Sequence, residues 1–299
     1  MIAHFPDFTP LRLEHKSEIE KITNEFEPYS DFNFVSLFSW DTNDNTQVST
    51  LHGNLVIKLK DYTSDKTIYS LIGKTKIHES VEALLEMTGE LNLVPEIVAD
   101  QVPSSGYLMD EEEDNFDYIY KLVDLAELNG NGYKKKRNKI NQFTNELQEV
   151  VTVETLTDID EGLLEEIEGV FVQWCFEGGK PPKTTVDEGV AILRACRNLK
   201  ELDLHITTVR IKGKLKAFSV NEMVGDNYAV CHFEKTVMAH NNIGPFIVQQ
   251  VAQYLVKKGC IYVNWEQDLG IAGLRQIKRS YLHSSFLKKY RLVKAAQNA

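Results

Sequence analysis

Asn264-Trp265-Glu266-Gln267-Asp268-Leu269-Gly270, running on through Ile271 to Tyr281 with Arg275 and Lys278, is the stretch on which the reading of this chain turns. Ile261, Val263 and Trp265 alternate with Tyr262, Asn264 and Glu266, the two-residue period of a strand over Cys260 to Trp265. A central strand is apolar on both faces, so polar Asn264 and Glu266 at its carboxyl end point to a ligand site just beyond it, where open α/β sheets place theirs. Asp268 stands where the next helix needs an N-cap, and capping and ligand contact both account for it. In a helix over Ile271 to Ser280, residues Ile271, Leu274, Lys278 and Tyr281 recur at helical spacing, which puts Lys278 on an apolar stripe. An ammonium there must find a carboxylate or a ligand anion, or lose its proton. Arg275 and Arg279 share an adjacent face, and Arg279 in the last turn reads as dipole compensation.

Upstream, three strands at Leu202 to Ile211, Leu215 to Met223 and Tyr228 to Lys235 form a meander, with turns at Gly213 and Gly225-Asp226. Helices over Leu156 to Phe176 and Val186 to Leu199 precede it, separated by Gly178-Gly179-Lys180-Pro181-Pro182. A helix from Pro245 to Lys258 follows it, and a last strand runs from Phe286 to Val293. On the third meander strand Val230, His232 and Glu234 share a face, and Glu222 ends the neighbouring strand. His232 is either a general base near neutral pH or, more commonly for such a residue, a hydrogen-bonded core histidine. The first half reads as a helix within Thr9 to Phe26, a packed aromatic run over Phe32 to Trp40, and strands at Leu55 to Leu59 and Thr67 to Ile72. After them come a helix from His78 to Leu91 and strands at Glu96 to Ala99 and Phe116 to Val123. The acidic run Asp110 to Asp114 reads as a solvated turn, since consecutive carboxylates cannot all face one ion. The boundary falls near residue 150, giving domains 1–150 and 151–299.

With 299 residues, 42% hydrophobic and 26% charged, the chain is long enough for two domains. No run approaches a membrane span, and the N-terminus lacks a basic segment followed by an apolar one, so a soluble cytoplasmic protein is expected. Cys175, Cys196, Cys231 and Cys260 show no metal-ligand spacing and read as free thiols. A net charge of −11 repels polyanions at long range, so a nucleic acid must be held by a local basic site. The helix over Tyr133 to Leu147 supplies one: Tyr133, Lys136, Ile140, Phe143 and Leu147 share a face with a lysine inside it, beside Lys134, Lys135 and Arg137. A solvated charge run is the competing reading.

The element order of the second half, one strand, two helices, a three-stranded meander, helix, strand, helix, strand, resembles the acyltransferase fold of the GNAT-type N-acetyltransferases. The first half offers a looser version. The fold class implied is α/β (α+β), two tandem acyl-CoA N-acyltransferase (GNAT)-like domains with mixed sheets flanked by helices. In that family a Gln/Arg-x-x-Gly-x-Gly/Ala loop cradles the pyrophosphate of coenzyme A. Here Asn241 stands for Gln/Arg, Pro245, which fits a first helical position, removes one donor, and Phe246 replaces the last small residue, so the cradle is damaged.

Two blocks together, Asp124-Leu125 through Lys136-Arg137-Asn138 to Phe143, and Asn264 to Gly270 with Gly273-Leu274-Arg275, Lys278 and Ser280-Tyr281, resemble the bacterial family grouped with the C-terminal domain of phosphatidylglycerol lysyltransferase. The resemblance implies transfer of an aminoacyl group from a charged tRNA to a lipid hydroxyl, with Asp268, Arg275 and Lys278 at the donor site. It also implies that Lys136 and Arg137 line an inter-domain groove. His283 departs from the family, standing where a proline is expected, and the lipid-modifying relatives carry a membrane domain that this sequence lacks. The expected donor is an aminoacyl-tRNA held partly by the basic helix, with acetyl-CoA as the alternative; the acceptor is a lipid, a peptide or a small molecule. Lys278 or Arg275 would stabilise an oxyanion, while Glu266 or Asp268 would orient a substrate ammonium or accept a proton. A noncatalytic module holding an amino acid, peptide or nucleic acid is the rival reading.

Overall fold

The computed structural model describes residues 1–61, 64, 66–147, 150–179, 182–237 and 242–295. Its strands are β1 Thr9–Pro10, β2 Gln47–Leu51, β3 Asn54–Lys60, β4 Thr67–Ile72, β5 Glu90–Pro95, β6 Tyr107–Glu111, β7 Asp117–Lys121, β8 Val151–Leu156, β9 Leu204–Ile211, β10 Lys214–Val224, β11 Tyr228–Thr236, β12 Tyr262–Asn264, β13 Ser285–Leu287 and β14 Lys289–Lys294. Its helices are α1 Lys16–Thr23, α2 Phe34–Trp40, α3 Ile77–Thr88, α4 Glu96–Ala99, α5 Leu122–Glu127, α6 Lys134–Leu147, α7 Glu161–Glu177, α8 Pro182–Arg197, α9 Ile243–Lys257 and α10 Ala272–Arg279. The fold is mixed α/β. The chain forms two compact units, the first of Met1–Tyr118, Glu266–Ile277 and Ser285–Ala299, the second of Ile119–Trp265 and Lys278–Ser284. The division expected near residue 150 falls inside the second of these.

In the first unit β1-β2-β3-β4 form one antiparallel sheet and β5-β14-β6 another. Val81, Leu84 and Leu85 of α3, spaced to share one helical face, pack in a core with Val56, Leu71, Leu91 and Val94. Several expectations change here. The N-terminal helix is only α1, because Thr9–Pro10 pairs with β2 instead. The aromatic run is the helix α2, capped by Asn33, whose side chain accepts from the Ser36 amide at 3.0 Å. Glu96 to Ala99 is a turn of helix; the strand is the six residues before it, ending at Pro95. The acidic run is partly structured: Glu111 ends β6, and Glu112 accepts from the Leu93 amide at 2.6 Å.

In the second unit six strands run in the order β7-β12-β11-β10-β9-β8. The meander β9-β10-β11 is antiparallel, and its first turn has Lys212 and Gly213 both at positive φ, the backbone that joins twisted strands in two residues. β12 pairs parallel to β11 on one side and antiparallel to β7 on the other, making the sheet mixed. The parallel pairing covers only Tyr228↔Tyr262, Ala229↔Val263 and Val230↔Asn264. β11 runs on to Thr236, so that edge has no β12 partner from Cys231 onward. Beside it, His232 is the extra residue of a bulge, Val220 pairing with Phe233 and Asn221 with Cys231. Helix α9 buries Ile247, Val248, Val251 and Leu255. Among the described residues no helix is long and apolar enough to cross a membrane.

Candidate functional site

In the second unit Lys136 does face inward from α6, as its place on the apolar stripe implies. Its Nζ lies 3.5 Å from the centre of the Tyr281 ring and donates to Ser280 Oγ at 2.8 Å. Tyr281 is buried and fixed: its carbonyl accepts from Tyr133 Oη at 2.8 Å, and its ring meets Trp265 edge-on at 5.1 Å. Trp265 in turn packs on Tyr120 at 4.7 Å. A π face and a hydroxyl replace few of the waters that an ammonium gives up. Burial, with the neighbouring Lys139 charge, therefore lowers the Lys136 amine to about 8, Glu234 alone opposing.

Glu234 is the counterpart on the open part of β11. Burial pushes its carboxyl up to about 7, the charges of Lys235 and Lys136 only partly offsetting it. Among the described residues no hydrogen bond or ion pair reaches that carboxylate. Burial, with a smaller contribution from the Glu234 charge, raises the Tyr281 phenol well above its ordinary value. An ordinary glutamate and lysine titrate some six units apart, whereas these two come together near neutrality, the condition for moving protons at physiological pH. Glu234 was seen in the sequence only as a neighbour of His232 on one strand face. The available signal was a lone carboxylate in the interior of a sheet strand.

The other expected residues fall into separate settings. Lys278 is buried, and its Nζ donates to the Trp265 carbonyl. Tyr120 Oη caps the Lys278 carbonyl at 2.8 Å. Of the expected stripe, Leu274 is half-buried and Lys278 and Tyr281 are buried, while Ile271, just ahead of the helix, is exposed. Arg137 ties down a loop by donating to the carbonyls of Leu128 and, at 2.7 Å, Gly130; Asn138 is exposed. Glu222 and His232 form a buried pair, Nε2 to Oε2 3.3 Å. Asn264 is fully buried at the end of β12.

Three residues lie in the first unit. Asp268 is buried and is not the cap of α10, which starts four residues later. Its carboxylate accepts from Arg275 Nε and Nη2, both at 2.7 Å, from Tyr118 Oη at 2.6 Å and from the Gly270 amide at 2.9 Å. Burial acts to raise its pKa, and these donors outweigh that and lower it. Arg275 also pairs with Asp114, and Glu111 and Asp110 pair with Lys288 and Arg291, so the acidic run expected to be a solvated turn supplies three ion-pair partners. Glu266 has φ 56°, which takes it off the strand alternation, and it accepts from Ser36 Oγ at 3.1 Å.

At the start of α9, Ile243 is the first helical residue, so Pro245 is the third; it still falls within the first turn, where an amide has no intrahelical partner. The Phe246 ring packs 4.9 Å from Phe143 and against Leu128, Tyr133 and Ile140. Asn241 and the Lys180-Pro181 pair lie outside the described residues, as does the Leu147 side chain.

A conserved protein of unknown function from Bacteroides thetaiotaomicron is similar over 99% of this chain and 100% of its own, at 25% identity and TM-score 0.86. The C-terminal domain of a candidate lysylphosphatidylglycerol synthetase from Agrobacterium fabrum aligns over 95% and 93% at 12% identity and TM-score 0.66. L-PGS from Bacillus licheniformis aligns over 99% and 95% at 15% identity and TM-score 0.63. No curated protein matches the chain. The phosphatidylglycerol lysyltransferase C-terminal family matches residues 23–293, and the chain belongs to that family.

Proposed function

We propose that the protein is an acyltransferase that moves an aminoacyl group from a charged tRNA to the hydroxyl or amine of a lipid, peptide or small-molecule acceptor in the cytoplasm. The observation that carries this reading is the parting of β11 from β12 after Val230↔Asn264, with Glu234 and Lys136 beside the open edge. Backbone amides along that edge would hold the ester carbonyl. The acceptor oxygen or nitrogen attacks the carbonyl carbon, Glu234 takes its proton, and the charged form of Lys136 stabilises the oxyanion. As the ester C–O bond breaks, Glu234 returns the proton to the departing 3′ oxygen of the tRNA. Family membership supports the transfer class.

Choice of donor rests on α9. Phe246 packed on Phe143 fills the place of a small residue, and Pro245 withdraws an amide, so a coenzyme A pyrophosphate has little to bind; this disfavours acetyl-CoA. Exposed Lys134, Lys135 and Lys139 on α6 would contact the tRNA acceptor end. As part of the same proposal, the strand order β12-β11-β10-β9-β8, an antiparallel meander joined to a parallel strand, supports a GNAT-like half over 151–299, with a looser one over 1–150. Thermal shift distinguishes the donors. A 3′-aminoacyl-adenosine analogue should raise Tm by several degrees and coenzyme A should not; stabilisation by coenzyme A alone would reverse the assignment.

A further inference from the structure

We propose that Lys136 is a self-acylation site, its neutral amine taking an acyl group from an activated ester held beside Glu234. This rests on the aminoacyl-transfer reading. The geometry that lets a charged Lys136 stabilise an acyl oxygen also places its nitrogen next to the acyl carbon once the proton is gone. The amine is held by Ser280 Oγ at 2.8 Å and by the Tyr281 face at 3.5 Å, so no strong ion pair has to break before it reacts. Among the described residues the charged and titratable groups around it are Lys139 on its own helix, Glu234 on β11 and the Tyr281 phenol following α10. Burial and Lys139 favour the neutral amine, Glu234 favours the ammonium, and burial dominates.

In the step, the Lys136 nitrogen forms a bond to the ester carbonyl carbon and the bond from that carbon to the ester oxygen breaks. The proton released from nitrogen passes to Glu234 and on to the departing oxygen. No oxidant or further reactant is needed. The product is an amide, stable where the ester was not, so the acyl group stays on the protein. One positive charge disappears from the face of Tyr281, and with it the stabilisation of the oxyanion, so the mark silences the site that made it.

Exposed Lys134, Lys135 and Lys139 on the same helix serve as internal standards. The intact protein is treated with trace N-hydroxysuccinimidyl acetate between pH 6 and 10, and each lysine is quantified by site-resolved mass spectrometry. Labelling of Lys136 should rise through about pH 8 and level off. A 3′-aminoacyl-adenosine ester should then add one aminoacyl group at Lys136, at least tenfold more than at Lys134, Lys135 or Lys139. A Lys136 profile that follows its neighbours, or no preference with the aminoacyl ester, overturns the proposal. Selective acylation of Lys136 without transfer to any acceptor would uphold the nucleophile and remove the aminoacyl-transfer reading.

Discussion

Each unit sets a lysine near acidic side chains, fully buried in the first and half-buried in the second, and the two clusters are built to opposite ends. In the first unit Lys289 is fully buried between Asp31 and Asp117, with Asp117 Oδ1 at 2.8 Å. Ser30 donates to Asp117 from its amide at 2.8 Å and from its hydroxyl at 2.6 Å, and Gln267 donates to Asp31 at 2.8 Å. Burial alone would lower the Lys289 pKa, but the two carboxylates outweigh it and raise it. In the second unit Lys136 meets a ring and a hydroxyl, and among the described residues no donor reaches the Glu234 carboxylate. A saturated cluster fixes its charges and holds structure; an unsaturated one leaves protons free to move.

Replacing Lys289 by Met tests the structural half and should have the largest effect. It leaves two buried carboxylates without their cation, and urea denaturation should show a loss of about 3–5 kcal/mol. A loss below ~1 kcal/mol would show that the cluster is not holding the unit.

Glu234→Gln tests the other half. Transfer should fall by roughly 10²–10⁴-fold, the usual worth of a general base, without loss of stability. The pH dependence has a definite sign. The folded pKa of Glu234, about 7, lies above the ordinary 4.5, so the folded state binds the extra proton between those values. Its contribution to stability is therefore fully present below the ordinary value and is lost as pH rises through about 7. The variant should flatten that decline. Wild-type transfer should rise over the same limb as the carboxylate ionises, and an unchanged limb in Glu234→Gln would assign it to another group.

Arg275→Met should cost less, about 1–3 kcal/mol by thermal melts, because Tyr118 and Gly270 still donate to the buried Asp268. If transfer collapses while stability holds, Arg275 belongs to the chemistry and not to the frame. Lys134→Ala with Lys135→Ala should change stability by under ~0.5 kcal/mol and weaken charged-tRNA binding in a salt-dependent way, measured by filter binding at two salt concentrations.

Local signals carried the second unit well. The meander strands were legible within about two residues because antiparallel pairs alternate and their turns need positive φ at positions such as Gly213. Inward-facing Lys136 was readable from local spacing too, as a cation on the apolar face of a helix. What failed depends on distant partners. Lys289 looks like one charge among several in Lys288-Lys289-Tyr290-Arg291, and only Asp31 and Asp117, far away in sequence, make it a buried cation. Asp268 sits at capping distance from a helix that starts later than expected, so its bidentate hold on Arg275 was invisible.

The central claim is that Glu234, beside the open edge of β11, drives aminoacyl transfer. Wild type and Glu234→Gln are incubated with a mixture of tRNAs charged with radiolabelled amino acids, together with lipid, peptide and small-molecule extracts, and label is followed into the acceptor fractions. Label should enter one fraction with wild type and at least 100-fold more slowly with Glu234→Gln. Equal transfer by both proteins, or no transfer from any charged tRNA, would contradict the account.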